Sequence, residues 1–293
     1  MTTSECLISI VVPSYNQPAF VGHCLESIFS QTNAQFEVIL IDGGSELTTL
    51  DQIAPYRARL AHYVSEKDRG QSHAINKGLA VARGQMVTWL NTDDFYLPGA
   101  LAAMTASYRS QPNATFYLGR GFRTNVDDSK RVPFYPERFA YSHDALVWGL
   151  NFILQPATLI NRMALQTVGS MLDESLHYAM DSDLWLRLAK LGDPVSVDHD
   201  VACSREYAST KTSCGSWNRV FEIQRVTQRH SGAALTPGVL AEVCRQLLEC
   251  SEQPDVAGKF TPKLRETVIA LWGEAAGGLR RMSNRDDGLP VKL

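Results

Sequence analysis

Long apolar runs are missing from this 293-residue chain. No stretch approaches the roughly 18 consecutive apolar residues that a membrane helix needs. The opening Met1-Thr2-Thr3-Ser4-Glu5 also lacks the positive start of a secretion signal. Cysteine is scarce: six residues, Cys6, Cys24, Cys203, Cys214, Cys244 and Cys250, with no C-x-x-C pair. They are too sparse to staple a chain of this size, and suit thiols in a reducing compartment. A charge excess is absent as well, with 28 Lys+Arg against 31 Asp+Glu and a net charge of -3. That balance excludes a basic coat for nucleic acid. The 20 Gly and 13 Pro follow no triplet period, which excludes a collagen-like chain. There is no internal repeat and no low-complexity segment. Hydrophobic residues at 44 % and charged residues at 20 % exclude a disordered chain. The expectation is a soluble, cytoplasmic globular protein without a nucleic-acid partner.

What is present is a rhythm. Leu7 to Val12 is a β-branched run stopped by Pro13 and Asn16. Phe20, Val21, Cys24, Leu25, Ile28 and Phe29 then recur at helical spacing. Phe36 to Ile41 predicts a second strand, Leu60 to Ser65 a third and Gln85 to Leu90 a fourth, with a helix carrying Ala74, Ile75, Gly78 and Leu79 before the last. Strand, helix, strand at this spacing implies a mostly parallel sheet covered on both faces. Thr115–Asn125 and Lys130–Tyr135 predict a hairpin, Met180–Leu191 an amphipathic helix, and residues beyond Ser216 helices in Trp217–Ser231, Pro237–Cys250 and Pro262–Leu279. The tail from Arg280 is polar and expected to be loose.

The first four strands each end in polar residues: Ser14 and Asn16, Asp42, Glu66 and Asp68, then Asp93 and Asp94. Ligands of such sheets bind beyond the carboxyl ends of the strands. Adjacent carboxylates at 93 and 94 suit a hard divalent cation, or else cap the following turn. Asp42 with Gly43-Gly44 either meets a ligand closely or forms an ordinary Asp-Gly turn. Arg69 matches phosphate oxygens through its planar fork, or makes a surface salt bridge with little consequence. Asp181 and Asp183 open a helix and complement its dipole, a role compatible with proton transfer by one of them.

Five segments in order carry a resemblance: Val11-Val12-Pro13-Ser14-Tyr15-Asn16, Val38 to Ser45, Asp68-Arg69-Gly70-Gln71-Ser72 through Asn76-Lys77-Gly78, Leu90-Asn91-Thr92-Asp93-Asp94, and Met180 to Arg187. Together the chain resembles the family 2 glycosyltransferases of the GT-A fold. The resemblance implies an α/β fold, Rossmann-like, with a mostly parallel mixed sheet flanked by helices and a helical C-terminal extension. It divides the chain into a GT-A domain over 1–231, with a nucleotide-binding half at about 1–95 and an acceptor half at 96–231, and an extension over 232–293.

The resemblance further implies an inverting, metal-dependent transfer from a nucleoside-diphosphate sugar, UDP or dTDP favoured, to a glycan or lipid-linked glycan acceptor in polysaccharide or lipopolysaccharide synthesis. Asp181 would be the base. Asp94, with Asp93 nearer the ribose, would hold Mg²⁺ or Mn²⁺. Pro13, Ser14 and Tyr15 would line the nucleoside pocket, Asp42 would accept a base imide N–H, Asp68 would touch base or ribose, and Arg69 would clamp the diphosphate. Gln155-Pro156-Ala157-Thr158 and Ser204-Arg205-Glu206-Tyr207 look like acceptor-side and phosphate-side elements. Met180 stands where the family commonly has Glu, and Glu206-Tyr207 where many relatives have His. His73, where the family often has Asp, reads as a solvent-facing helix residue. Peripheral association with the inner face of a membrane is left open, as is the oligomeric state. Two alternatives stand beside this reading: a nucleotide- or glycan-binding module of the same fold without turnover, and a sugar nucleotidyltransferase. The latter is disfavoured because Pro13-Ser14-Tyr15-Asn16 occupies the place of a glycine-rich phosphate loop.

Overall fold

The β-branched run at the start forms β1 (Leu7–Ser14), and β2 (Gln35–Asp42) and β4 (Met86–Trp89) lie parallel on either side of it. β3 (His62–Ser65) extends the parallel set on the far side of β2. The chain is seen here as a computed structural model that describes residues 7–134, 141–149, 153–169, 171–251, 262–264 and 266–271.

Alternation along β1 explains why both faces are covered. Ile8, Ile10 and Val12 join Val38 and Leu40 of β2 in one buried cluster with Val21, Cys24, Leu25 and Ile28 of α1 (Val21–Phe29). On the opposite face Val11 meets α3 (Gln71–Val81) so closely that a Cβ on Gly78 would lie 2.4 Å from Val11 Cγ1. Pro13 is tolerated inside β1 because pairing with β4 ends at Val11, before its missing N–H would be needed.

Beyond β4 the sheet becomes mixed. The order is β3-β2-β1-β4-β8-β6-β9-β5, with β7 on β6, where β5 is Phe95–Tyr96, β6 Phe116–Thr124, β7 Arg131–Phe134, β8 Thr158–Asn161 and β9 Val195–Arg205. The expected hairpin is β6 and β7, antiparallel from Gly121↔Phe134 to Thr124↔Arg131; its expected last residue, Tyr135, lies outside the described residues. Periodicity does not foresee β5, β8 or β9. β9 is hard to read because Asp198, His199 and Asp200 interrupt its apolar alternation. Five helices are also unforeseen among the described residues: α2 (Leu47–Ile53), α4 (Ala100–Ser110), α5 (His143–Trp148), α6 (Arg162–Thr167) and α8 (Lys211–Cys214). The amphipathic helix at 180 forms α7 (Met180–Ala189). Its Trp185 stacks between Trp89 and Phe116, each ring centroid 5.6 Å away, which makes it a core residue as its spacing suggests.

The chain divides into two compact units, 1–137 with 153–207, and 138–152 with 208–293. The break expected near 231 therefore falls inside the second unit, between α9 (Ser216–Ser231) and α10 (Pro237–Ser251). That unit begins its later part with the short α8 (Lys211–Cys214). Glu242 on α10 pairs with Arg219 of α9 and with Arg245, which joins the two helices within the unit. Of the helix expected at Pro262–Leu279 only 262–264 and 266–271 are described, and they are helical; the tail from 280 lies outside the described residues. Among the described residues no helix is long and apolar enough to cross a membrane.

Candidate active site

Register aligns the polar strand ends. Ser14 pairs across to Asp42, and Asp42 to Ser65. Backbone bonds continue the alignment past the strands, Gly43 N–H to Ser14 O at 2.8 Å and Glu66 N–H to Asp42 O at 3.0 Å. Asn16, in the left-handed region at φ 51°, ties the first loop to the second: its N–H donates to Ser45 Oγ and its side-chain oxygen accepts from Glu46 N–H. Ser14 Oγ is buried and finds no partner within the described protein, whereas Tyr15 beside it is 62 % exposed.

Asp42 is tied into the loop that follows it. Its side chain is fully buried and accepts from Gly44 N–H, Ser45 N–H and Ser65 Oγ at one oxygen and from Ser45 Oγ at the other. Three of these donors crowd Oδ2 and one meets Oδ1, so Asp42 organises the loop while Oδ1 keeps a second acceptor position. Pro13 is buried within β1. The carboxylate beside this loop is Asp68. A Cβ on Gly43 would lie 2.8 Å from Asp68 Oδ2, so only glycine leaves that oxygen its place. Asp68 Oδ1 accepts from Gly70 N–H at 2.7 Å, which folds the loop back before α3.

Arg69 extends away from this carboxylate. Its Nε and Nη2 donate to Glu174 Oε2 at 3.1 and 2.7 Å. Its backbone N–H donates to His73 Nδ1, so His73 is a half-buried loop cap and not a free surface residue. Nothing in the local sequence marks Glu174, which lies 105 residues from Arg69 along the chain.

The acid pair sits where β4 leads into β5. Antiparallel pairing of Phe95 with Cys203 carries the end of β9 alongside Asp93 and Asp94. Asp94 is 3 % exposed and accepts from Arg205 N–H at one oxygen and from Asn91 Nδ2 at the other. Burial, with the neighbouring Asp93 charge, holds its carboxyl well above the usual range. Asp93 is raised too, chiefly by burial, although Tyr207 donates its hydroxyl to Oδ2 at 3.0 Å. Arg205 donates to Asp93 O, to Val126 O and to His23 Nδ1. A chain of amides completes the arrangement: Gln71 Nε2 to Asn91 Oδ1 at 2.6 Å, Asn91 Nδ2 to Gln155 Oε1 at 3.2 Å, and Gln155 Nε2 to Trp89 O at 2.9 Å. The segments around Gln155 and Arg205, only loosely legible in sequence, thus both reach the acid pair or its supports.

Adjacent carboxylates raise the question of a cation. Among the described residues no three His, Cys, Asp or Glu side chains gather tightly enough to hold a metal unaided. Mg²⁺-type ions, however, are commonly held by one or two carboxylates plus substrate phosphates and water. A buried carboxylate beside a half-buried one, both with raised affinity for protons, is an environment that a cation relieves. Asp93 and Asp94 fit.

At α7 the two aspartates part company. Asp183 is buried and ion-paired with Arg187 Nε at 2.9 Å, whereas Asp181 is half-buried, with Oδ1 accepting from Ser182 N–H at 2.7 Å. Met180 turns its sulfur to Ser72 Oγ at 3.0 Å, which links the start of α7 to α3. α3 in turn continues from the loop that holds Asp68.

Residues 9–169, more than half of the chain, match the family described as glycosyl transferase family 2. The chain belongs to glycosyltransferase family 2. An uncharacterized glycosyltransferase of Rickettsia typhi is 24 % identical over 83 % of this chain and 74 % of its own length. A chondroitin synthase of Escherichia coli is 26 % identical over 64 % of this chain, which corresponds to 27 % of that longer protein. Among solved structures, S. aureus TarS in complex with UDP-GlcNAc superposes with a TM-score of 0.62 at 18 % identity, covering 94 % of this chain and 81 % of that one. The mannosyltransferase PcManGT of Pyrobaculum calidifontis, in complex with GDP-Man and Mn²⁺, gives 0.58 at 18 %, over 94 % and 76 %. The curled mixed sheet with flanking helices is the GT-A fold, and this family 2 member is a glycosyltransferase.

Proposed function

We propose that this chain transfers a sugar from a nucleoside diphosphate to a glycan or lipid-linked hydroxyl by a single inverting displacement. The observation that carries the reading is the contrast at α7: Asp183 is neutralised by Arg187, and Asp181, two residues earlier, is left half-open. In this reaction Asp181 takes the proton of the acceptor hydroxyl, the freed oxygen attacks the anomeric carbon, and the bond to the diphosphate oxygen breaks. Residues 1–95 supply the donor side. Tyr15 offers an exposed ring to the base, Ser14 a buried hydroxyl, Asp42 the acceptor for a uracil or thymine imide N–H, and Asp68 a contact to base or ribose. Arg69 leaves Glu174 for the diphosphate; its side chain is 68 % exposed, and an ion pair so open costs under about 1 kcal/mol to exchange.

Asp94 and Asp93 would hold Mg²⁺ or Mn²⁺, which when bound supplies positive charge to the departing diphosphate. The amides of Gln71, Asn91 and Gln155 keep Asp94 oriented. The chondroitin synthase relative supports a setting in polysaccharide synthesis, and the TarS and mannosyltransferase complexes support a nucleotide-sugar donor.

The test is thermal unfolding with UDP, dTDP, GDP and CDP, with and without Mn²⁺, alongside nucleotide release from the matching sugar donors. At a hundred times its Kd a ligand stabilises by about 2.7 kcal/mol, a readable shift. Donor cleavage that disappears in Asp181→Asn while nucleotide binding persists is the expected result. A protein that binds nucleotide but never cleaves a donor is a binding module, and the reading fails.

A further inference from the structure

α3 has a buried polar stripe that the proposed transfer leaves unused. Asn76 is 5 % exposed and closes a two-sided contact with one residue of a distant segment: Leu172 N–H donates to Oδ1 at 2.8 Å, and Nδ2 donates to Leu172 O at 3.0 Å. The same Nδ2 reaches Glu174 Oε1 at 3.2 Å. One turn earlier, Ser72 is 6 % exposed and donates to Met180 Sδ at 3.0 Å, with Leu176 O at 3.4 Å. From the other end, Arg187 of α7 holds Val168 O and Met171 O, each at 2.9 Å. Residues 171–179 form no regular element, so the backbone groups of Met171, Leu172 and Leu176 turn to these side chains for partners.

Ser72 and Asn76 are four residues apart and share one face of α3. That face grips the segment that delivers Asp181, and the N-terminal loop of the same helix carries Asp68 and Arg69. One rigid helix therefore stands between the donor loop and the base. Gly78 keeps this helix seated, since any side chain there would collide with Val11.

We infer that Asn76, assisted by Ser72, is a positioning residue that fixes Asp181 relative to the donor loop. The inference rests on the proposed function, because it takes Asp181 as the base. Asn76 is assigned no contact with donor or acceptor; it acts through the Leu172–Met180 segment. The amide is the required group, because only an amide answers a peptide N–H and C=O at once.

The experiment compares wild type, Asn76→Asp, Asn76→Ala, Ser72→Ala, Asp181→Asn and the Asn76→Ala/Asp181→Asn double variant. Two readouts are taken: the single-turnover rate of nucleotide release from a sugar-nucleotide donor, and the Kd of the corresponding nucleotide. Misplacing a reacting group by about 1 Å costs on the order of 10²-fold in rate. Asn76→Ala and Asn76→Asp should lose roughly that much, and Ser72→Ala should lose less, with nucleotide Kd held within about twofold. The double variant should be no slower than Asp181→Asn alone, since a residue that acts through another has nothing left to lose. Hydrogen exchange supplies a readout independent of turnover: the Leu172 amide should exchange faster in Asn76→Ala, with β1 and β2 unchanged.

Additive losses in the double variant, an equal loss of nucleotide affinity, or unchanged exchange at Leu172 would each overturn the positioning role. Asp181→Asn at the wild-type rate overturns the base assignment instead, whatever Asn76 does. A fully active Asn76→Ala beside an inactive Asp181→Asn overturns the clamp alone.

Discussion

Arg205 donates through Nη1 to the backbone carbonyl of Asp93 at 2.7 Å, across 112 residues of sequence. The same guanidinium reaches Val126 O and His23 Nδ1, stacks over Phe95 and is 7 % exposed. It is a cation packed beside the half-buried Asp93 and the buried Asp94, and its backbone N–H anchors Asp94 as well. Truncation to alanine removes the positive charge and takes the donor from the part-buried Asp93 and Val126 carbonyls, each loss costing about 1–3 kcal/mol. Arg205→Ala is expected to lower stability by about 2–4 kcal/mol in urea unfolding, and Arg205→Lys to recover only part, since an ammonium cannot span three acceptors.

Asp94→Asn separates the cation from the nucleotide. The substitution keeps the shape but removes the charge that a divalent ion needs. Nucleotide affinity in EDTA should change by less than about twofold, whereas the gain on adding Mn²⁺, expected to be about tenfold or more in the wild type, should vanish. Calorimetric titration of UDP or GDP in EDTA and in Mn²⁺ measures both. A variant that keeps the Mn²⁺-dependent gain would move the cation site elsewhere.

Two glycine substitutions should have opposite readouts. Gly78→Ala drives a Cβ to within 2.4 Å of a Val11 methyl in the packed contact of α3 with β1. Overpacking of this kind costs about 1–3 kcal/mol, visible as a lower unfolding midpoint. Gly43→Ala meets the end of the Asp68 side chain, which is able to swing aside. Its stability loss should stay under about 1 kcal/mol, but the displaced carboxylate no longer stands beside β2, so nucleotide affinity is expected to fall several-fold.

Glu37 gives the pH dependence. Burial alone would raise its carboxyl, but the Ser9 hydroxyl, the Arg83 amide and the Arg83 guanidinium outweigh burial and hold it below the usual carboxylate range. A depressed folded pKa means the contribution is present above the unfolded value, about 4.3 for Glu, and is lost as pH falls through the lower folded value. Wild type should therefore lose stability steeply below about pH 4.5, and Glu37→Gln less steeply from a lower starting point. Because the Arg83 side chain is 71 % exposed, the neutral-pH difference is expected to stay near 1–2 kcal/mol.

Much of the donor half is legible in the amino-acid sequence. β1, β2, β4, α1 and α3 announce themselves because a buried parallel strand is a short β-branched run and a covering helix repeats its apolar face every three to four residues. The same locality makes Asp93-Asp94 and the start of α7 visible, since each is a cluster within a few residues. Local pattern fails at β9, where Asp198, His199 and Asp200 mask a strand whose identity comes from pairing with β6 and β5.

The sequence by itself determined the layered α/β scaffold and the set of polar strand ends from which a site is made. Only the tertiary structure decided what each of those ends is bonded to. Asp42 looks like a ligand in sequence and is also held in place by Gly44, Ser45 and Ser65. Arg69 looks like a phosphate clamp and rests on Glu174, while Asn76, in one of the segments that carry the resemblance, grips Leu172. The physical reason is that apolar periodicity is written into neighbouring residues, whereas a hydrogen-bond partner 96 or 105 residues away is chosen by how the sheet and helices bring the chain together.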